Sequence, residues 1–505
     1  MHVCRTPRST LTATALVLAL AGCSAGAGTT GPAPVEGVDS LTVGLTAEPA
    51  SLDFTTSDGA AIPEALLYNV LETLVKVDAA TGDVVPLLAE SYEVSADGRE
   101  YAFTLHEGVT FSNGDAFTAE DVAFSIERVQ SAAWTVSLKA AMDVVEQVQV
   151  VSPTEVVLRL AQPDDDWLYR MTTRVGAMFS ETGVDDLANT PIGTGPYTVT
   201  GRTRGDSLAM QVREDYWAEQ PDVERVVLRY FEDGTALENA LVSGGIDVIG
   251  TLQTPESLSR FRADDRFQVV EGTTNGELVL SMNGARPPLQ DRALRQALLH
   301  ALDRQALLDT TYGGTGELIG SLVPPTDPWF DPALVQRYPY DPARARELLA
   351  ASGTPLPELA FKIPNFPYAV NAAQVIAAQL AEVGVTARIE VLEFPVWLDV
   401  VFTQHDYDLS LVAHVEPRDL AIFADPDYYF GYDSPRYREL LTEASTAGEQ
   451  RSVELRREAA ALLAEDAAAG FLFVLPNLIV AETDVQGLPV NRVSESLDLT
   501  GVSRG

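Results

Sequence analysis

Cysteine, lysine and long apolar runs are scarce in this 505-residue chain, and each scarcity excludes a class of protein. Cys4 and Cys23 are the only cysteines, so no disulfide framework can replace a buried core. Beyond the first 22 residues no stretch reaches the roughly 18 apolar residues of a transmembrane helix. Lysine occurs three times, and acids outnumber bases 73 to 34. The resulting net charge of −39 disfavours nucleic acid as a partner.

Motifs of common secreted and nucleotide-binding enzymes are also missing. The chain has no G-x-S-x-G nucleophile turn, no H-E-x-x-H zinc helix and no Gly-Lys pair for a phosphate-binding loop. We therefore predict a protein that is not an enzyme, with no catalytic residues, no cofactor and no metal site. A secreted hydrolase is the enzyme alternative, because paired carboxylates in so acidic a chain leave a glycosidase open.

The N-terminus predicts export and a lipid anchor. Arg5 and Arg8 precede ten mostly apolar residues at 11–20, too few to cross a bilayer, so residues 1–22 are typical of a cleaved signal peptide. The quartet Leu-Ala-Gly-Cys that ends at Cys23 resembles a bacterial lipoprotein signal, which implies lipidation of that cysteine. Residues 23–37 are small and rich in Gly, Pro and Thr, which favours a flexible tether. An ordinary cleaved signal is the alternative.

Strand-like segments follow the tether. Leu41, Val43 and Leu45 alternate as on one face of a first strand. Residues 144–151 and 155–160, separated by Ser-Pro-Thr, predict a β-hairpin.

Helix signals alternate with these strands. Thr118 and Asp121, three residues apart, predict a capped helix start. Residues 341–353 carry Asp-Pro at one end and Gly at the other, and residues 371–383 form a second helical stretch that Gly384 ends. A strand follows that glycine. Such helix-then-strand units predict the α/β class.

A dense series of motifs runs through most of the chain. In order they are 86–94 (PLLAESYEV), 97–98, 101–109 (YAFTLHEGV), 111, 113–114, 117–122 (FTAEDV), 191–197 (PIGTGPY), 244–248 (GGIDV), 282–283, 287–289, 291, 295–298 (RQAL), 301–304 (ALDR), 341–353 and 380–393. This series closely resembles the oligopeptide/dipeptide/nickel-binding family of extracellular solute-binding proteins, solute-binding protein family 5. The motifs are mainly structural, so they indicate the fold rather than the cargo.

The resemblance implies a two-lobed fold of the type II periplasmic-binding-protein kind, which closes about a hinge and carries an extra inserted domain. It places lobe I at 38–56, 190–277 and 481–505, the inserted domain at 57–189 and lobe II at 278–480. Ligand is then expected in the cleft between the lobes.

The family also implies that an acid in lobe II meets the α-amino group of a peptide. The family stretch usually has Trp, two residues and then Asp, whereas this chain has His414 near the position of the Trp. Either Glu416 or Asp419 could supply the acid. His414 itself could donate to a ligand carboxylate, ligate a metal complex, or be an interior histidine with its hydrogen bonds satisfied.

Further candidates for the cleft follow from position in the family fold. Trp397 is either a cleft aromatic or a core aromatic, and Tyr428 either lines the cleft or packs at the edge of a lobe. Two loops are expected to face the cleft, with structural turns as the alternative. Their candidate residues are Thr55, Thr56, Asp58, Thr274 and Asn275.

The predicted function is the substrate-binding subunit of an ABC importer, monomeric and lipid-anchored at the outer face of the bacterial cell membrane. Its predicted partners are a short peptide and the permease and ATPase subunits. A nickel complex or an oligosaccharide is the alternative cargo. A lipoprotein that uses the same fold for sensing or adhesion is the alternative without transport.

Overall fold

The structure is a computed structural model that describes residues 39–353 and 357–505. The predicted signal peptide, Cys23 and the tether at 23–37 lie outside the described residues. The strands are β1 Ser40–Leu45, β2 Val75–Val77, β3 Val84–Pro86, β4 Ala89–Val94, β5 Glu100–Leu105, β6 Val145–Ser152, β7 Glu155–Leu160, β8 Tyr197–Thr203, β9 Ser207–Val212, β10 Arg225–Tyr230, β11 Val248–Ile249, β12 Phe267–Met282, β13 Glu317–Leu318, β14 Leu359–Pro364, β15 Ala387–Leu392, β16 Leu409–His414, β17 Gly470–Glu482, β18 Val485–Gln486 and β19 Ser503–Arg504. The α-helices are α1 Ala61–Leu66, α2 Ala119–Gln130, α3 Trp167–Arg170, α4 Gly234–Val242, α5 Leu258–Arg262, α6 Arg292–His300, α7 Arg304–Tyr312, α8 Pro342–Ser352, α9 Pro367–Glu382, α10 Phe394–Trp397, α11 Pro435–Ala444 and α12 Glu449–Glu465.

Two long strands, β12 and β17, run through the middle of an 11-stranded sheet. On one side the order continues through β11, β1, β10, β9 and β8, and on the other through β16, β14 and β15, while the short β13 pairs with β17 outside this order. β12 pairs antiparallel with β17, and the register shifts between Thr273 and Glu277. The central pair therefore joins two groups of strands and is interrupted near its midpoint.

Each group of strands is covered by two apolar cores. Leu41 and Val43 of β1 belong to a large core that also includes Phe103 and Trp167, and a smaller core around Phe261 covers further residues of β11, β12 and β17. The other group has one core around Phe361 and Leu380 and another around Trp397 and Tyr429. Two covered groups of strands are what a two-lobed α/β fold requires.

A separate antiparallel sheet with the order β4-β5-β7-β6 lies within residues 57–189. It contains the predicted hairpin, because β6 pairs antiparallel with β7, from Val145 opposite Leu160 to Ser152 opposite Glu155. α2 begins with the predicted capping box of Thr118 and Asp121. The apolar core of this sheet is continuous with the core that covers β1. The exact limits of the inserted domain and of the lobes remain predictions.

The helix α8 begins and ends as the sequence predicts, with the Asp341 side chain accepting a hydrogen bond from the Arg344 N–H and Gly353 in the left-handed region. α9 begins at Pro367, four residues before the predicted start. Proline suits the first helical turn because its missing N–H needs no partner there. The following strand β15 lies at the sheet edge, so Val391 remains 45% exposed.

Candidate functional site

The interruption of β12 is held by the side chains of Thr274 and Asn275. The Thr274 hydroxyl donates to the Leu475 carbonyl at 2.8 Å and accepts from the Gly276 N–H at 2.9 Å. The Asn275 amide donates to the Val493 carbonyl at 3.0 Å. These two residues therefore tie the crossing point of the sheet to β17 and to the C-terminal segment.

Glu277 is the first β12 residue paired again after the interruption, and it is 1% exposed. Its register partner on β16 is His414. Its Oε2 has no hydrogen-bond partner among the described residues. Burial raises the pKa of Glu277 well above its ordinary value, and the nearby carboxylates of Asp419 and Asp327 raise it further. A buried acid without a partner costs stability, so such residues commonly mark functional sites.

His414 contacts a tyrosine and an acid. Its Nε2 lies 2.9 Å from the Tyr429 hydroxyl in a hydrogen bond, and its Nδ1 lies 3.8 Å from Oδ2 of Asp419. Burial lowers the pKa of His414 to about 4, so the ring is neutral near pH 7. These contacts are those of an interior histidine, one of the three roles the sequence left open.

The two candidate acids occupy different environments. Asp419 begins a 3₁₀ turn, its side chain is 8% exposed, and its Oδ1 has no partner in the described part of the chain. Burial raises its pKa well above the ordinary value. Glu416 is more exposed. Desolvation raises its pKa, the carboxylates of Glu495 and Asp58 add to this effect, and Arg174 opposes it. Glu416 thus lies near both acidic and basic side chains, whereas Asp419 lies near the buried acids Glu277 and Asp327.

Asp327 is a third buried acid, and the sequence analysis did not identify it. Its Oδ1 lies 3.8 Å from Nε of Arg418, and its Oδ2 has no partner within the described residues. Burial raises the pKa of Asp327 to about 7, although the guanidinium of Arg418 opposes the rise. That guanidinium lies 3.9 Å from the ring centre of Tyr169 and 5.1 Å from that of Trp329. Arg418 therefore bridges the acids and a residue of the predicted inserted domain.

A second contact joins the same two parts of the chain. Both guanidinium NH groups of Arg456, on α12, donate to the Asp166 carboxylate, at 2.6 and 2.9 Å. The side chain of Asp166 is only 24% exposed, and its carboxylate is part of a contact between segments far apart in sequence.

An aromatic group lies beside the acids. Trp397 is 3% exposed, donates to the Ser410 hydroxyl at 3.1 Å and stacks on Phe394. Tyr428 packs edge-on against Phe402 at 5.4 Å. Burial raises the pKa of Tyr428 to about 12, and the charges of Asp419 and Glu416 contribute to this. Trp397 thus has the contacts of a core aromatic, whereas Tyr428 lies nearer to the acids.

The first predicted loop is organised around other partners. The hydroxyls of Thr55 and Thr56 donate to the two oxygens of Asp53, at 2.6 and 2.7 Å, as in a structural turn. Asp58 is exposed and forms an ion pair with Arg174 at 3.2 Å.

The structure thus groups His414, Asp419 and Tyr428 around Tyr429 and places Glu416 and Asp58 near Arg174. Sequence reasoning missed four residues of this site, and one signal was available for the first: Glu277 is an acid directly before the apolar run 278–280. The missed residues are Glu277, Asp327, Arg418 and Tyr169.

The described residues contain neither a metal-binding cluster nor a membrane-spanning helix. Across residues 39–353 and 357–505, no group of three or more His, Cys, Asp or Glu side chains has an arrangement that could hold a metal ion. Within the same ranges, no helix is both long and apolar enough to cross a membrane.

Comparison with known proteins reveals the family. The family model described as bacterial extracellular solute-binding proteins, family 5 Middle, matches residues 83–434. The chain is 30% identical over 364 residues to the probable ABC transporter periplasmic-binding protein SapA of Escherichia coli, covering 66% of each protein. It is 29% identical over 380 residues to the Escherichia coli dipeptide-binding protein, covering 68% of this chain and 69% of that protein. The match thus spans about two thirds of the length of each relative.

A solved structure shows the same fold. The ABC transporter substrate-binding protein CtaP of Listeria monocytogenes superposes with a TM-score of 0.84 at 20% identity, covering 92% of this chain and 99% of that chain. This likeness confirms the predicted two-lobed, type II periplasmic-binding-protein fold. Since the family model covers more than half of the chain, this protein belongs to the bacterial extracellular solute-binding proteins of family 5 and is a binding protein rather than an enzyme.

Proposed function

We propose that this protein is the substrate-binding subunit of an ABC importer and that it captures short peptides in the cleft between its lobes. The observation that carries the proposal is the buried carboxylate of Asp419, whose Oδ1 has no partner among the described residues. An α-ammonium group would supply the missing charge and hydrogen bonds. The similarity to the Escherichia coli dipeptide-binding protein supports a peptide as the ligand.

Of the two acids that the sequence left open, Asp419 is the proposed partner of the peptide amine. It is buried beside Glu277 and Asp327, where an added positive charge is favoured. Glu416 instead faces Arg174, which already offsets part of its charge. Loss of one charge-assisted hydrogen bond should lower the affinity for the peptide by roughly 10–100-fold.

Closure of the lobes is the proposed mechanism of capture. The lobes are those predicted at 38–56, 190–277 and 481–505 for lobe I and at 278–480 for lobe II. Hinge motion would centre on Thr274 and Asn275, where the pairing of β12 is interrupted. Ligand that contacts both sides of the cleft shifts the population toward the closed form. The monomer then delivers its cargo to the permease and ATPase subunits.

Peptide binding is tested with the purified protein by a thermal-shift screen of di- to hexapeptides, nickel complexes and oligosaccharides. Peptides should raise the melting temperature, because a ligand that binds the folded state stabilises it. Asp419→Asn should weaken peptide binding by roughly 10–100-fold, and Glu416→Gln should have a smaller effect. If only a nickel complex or a glycan shifts the transition, or if any of these compounds is turned over, the proposal of peptide binding is wrong.

Anchoring through Cys23 at the outer face of the cell membrane is the second part of the proposal. It is supported by the lipoprotein-like quartet before that cysteine. Cells that express the wild-type chain should incorporate radiolabelled palmitate into it, and the protein should partition into the detergent phase of Triton X-114. Cys23→Ser should abolish both. Labelling that survives the substitution would refute the assignment of the anchor.

A further inference from the structure

Three carboxylates are buried together beside the hinge. Glu277 is 1% exposed, and the side chains of Asp419 and Asp327 are 8% and 10% exposed. Each has one oxygen without a hydrogen-bond partner among the described residues, namely Oε2 of Glu277, Oδ1 of Asp419 and Oδ2 of Asp327. Native proteins leave few buried polar atoms unpaired, so three in one cluster suggest that a ligand completes them.

The sheet and the loops fix the positions of these acids. Glu277 lies opposite His414 in the pairing of β12 with β16. His414 is 3.8 Å from Asp419, and Arg418, the residue before Asp419, is 3.8 Å from Asp327. Asp327 and Asp419 therefore lie in predicted lobe II beside Glu277, the last residue of that segment of predicted lobe I, and Arg418 connects them to the predicted inserted domain because it stacks on Tyr169.

The cations near the cluster do not balance its charge. Arg418 is 3.8 Å from Asp327, and its Nε has no hydrogen-bond partner among the described residues. Arg456 already donates two hydrogen bonds to Asp166, and Arg174 is engaged by Glu495. His414 is neutral near pH 7, since burial lowers its pKa to about 4. In the described part of the chain, one guanidinium thus offsets three acids.

Such an imbalance has two physical solutions. Without cargo, the acids can take up protons, in agreement with the raised pKa values of Glu277, Asp327 and Asp419. With cargo, cationic groups can enter and pair with the ionised carboxylates, because a buried charge is tolerated once it is paired and hydrogen-bonded. One α-ammonium group still leaves one carboxylate without a counter-charge.

We propose that the cargo brings two cationic groups to the cluster of Glu277, Asp327 and Asp419, so the protein selects peptides whose first residue has a basic side chain. This inference rests on the proposed function, with the α-ammonium at Asp419. The second cation, a lysine ammonium or an arginine guanidinium, pairs with Glu277. Tyr428, which is partly exposed and packs on the buried Tyr429, offers apolar surface to the aliphatic part of that side chain.

The test compares two tripeptides by isothermal titration calorimetry at pH 7. Lys-Ala-Ala and norleucine-Ala-Ala have side chains of similar length, and only the first carries the second amine. We expect wild-type protein to bind the lysine peptide at least about tenfold more tightly, the value of one charge-assisted hydrogen bond. Glu277→Gln should abolish this preference, so that the variant binds the two peptides with equal affinity. Glu271→Gln, a more exposed acid on the same strand, is the matched control and should keep the preference.

A second measurement on wild-type protein does not depend on the folding of a variant. Titrations in two buffers of different ionisation enthalpy count the protons released on binding. Binding of the lysine peptide should release more protons from the protein than binding of the norleucine peptide, because two cations displace protons from more of the buried carboxylates than one cation does. Equal affinities and equal proton release would overturn the inference while leaving peptide binding intact. Failure of every peptide to bind would instead overturn the proposed function.

Discussion

Asp327 should make the folded protein less stable as the pH rises, and Asp327→Asn should remove that loss. The unfolded chain releases this proton near the ordinary pKa of 3.8, whereas burial holds the folded pKa at about 7. Between these values only the folded state keeps the proton, so the free energy of unfolding falls as the pH rises and levels off above pH 7. The acid therefore stabilises below pH 4 and not at pH 8.

The magnitude follows from the difference between the two pKa values. A rise from 3.8 to about 7 corresponds to about 4 kcal/mol, since each pKa unit is worth about 1.36 kcal/mol. On unfolding, globular proteins gain about 2.1 cal/mol/K of entropy per residue. If about 460 residues unfold cooperatively, a change of about 4 kcal/mol therefore shifts the melting temperature by about 4 °C. The variant should match wild type at pH 4 and melt about 4 °C higher at pH 8.

Differential scanning calorimetry of the two proteins from pH 4 to pH 8, without ligand, measures this difference. Carboxylates elsewhere contribute to both proteins alike, so the comparison isolates Asp327 and the groups that face it, namely Arg418, Asp166 and Arg456. Asp265→Asn, an exposed aspartate, is the matched control and should follow wild type. A constant difference in melting temperature across this pH range would refute the reasoning.

Three further predictions concern the proposed closure and the core. If the lobes close as proposed, Arg456→Met should weaken ligand binding by about tenfold, because it breaks the pair that joins Arg456 of predicted lobe II to Asp166 of the predicted inserted domain; calorimetric titration measures this, and Asp166→Asn should add little to it in a double-mutant cycle. Trp397→Ala should cost about 3–5 kcal/mol of stability in urea unfolding, since the ring is buried, and a loss below 1 kcal/mol would contradict its core position. Gly272→Ala should lower the melting temperature because its new Cβ would clash with the Val490 carbonyl oxygen, whereas Gly201→Ala, with open space around it, should not.

Much of the fold could be predicted because its signals are local. The capping box of Thr118 and Asp121 and the helix ends at Asp341 and Gly353 depend on side chains within a few residues of the backbone they serve. The start of α9 was misplaced because the first-turn role of Pro367 outweighed the apolar periodicity that begins later.

The site was only partly predictable. His414, Asp419 and Tyr428 lie within fifteen residues, so the family resemblance could indicate them together. The proposed choice of Asp419 over Glu416 depends on burial, which the sequence does not contain.

By itself the sequence determined the α/β class, the family and the acidic character of this protein, since these follow from periodicity, motifs and composition. Tertiary structure alone decided that Glu277 faces His414, that Asp327 approaches Arg418, and that Arg418 stacks on Tyr169. These partners are far apart in the chain, and strand register together with packing between distant segments brings them into contact. Desolvation at that meeting point raises the pKa values of Glu277 and Asp327, because the cost of burying a carboxylate depends on its surroundings and not on its neighbours in sequence.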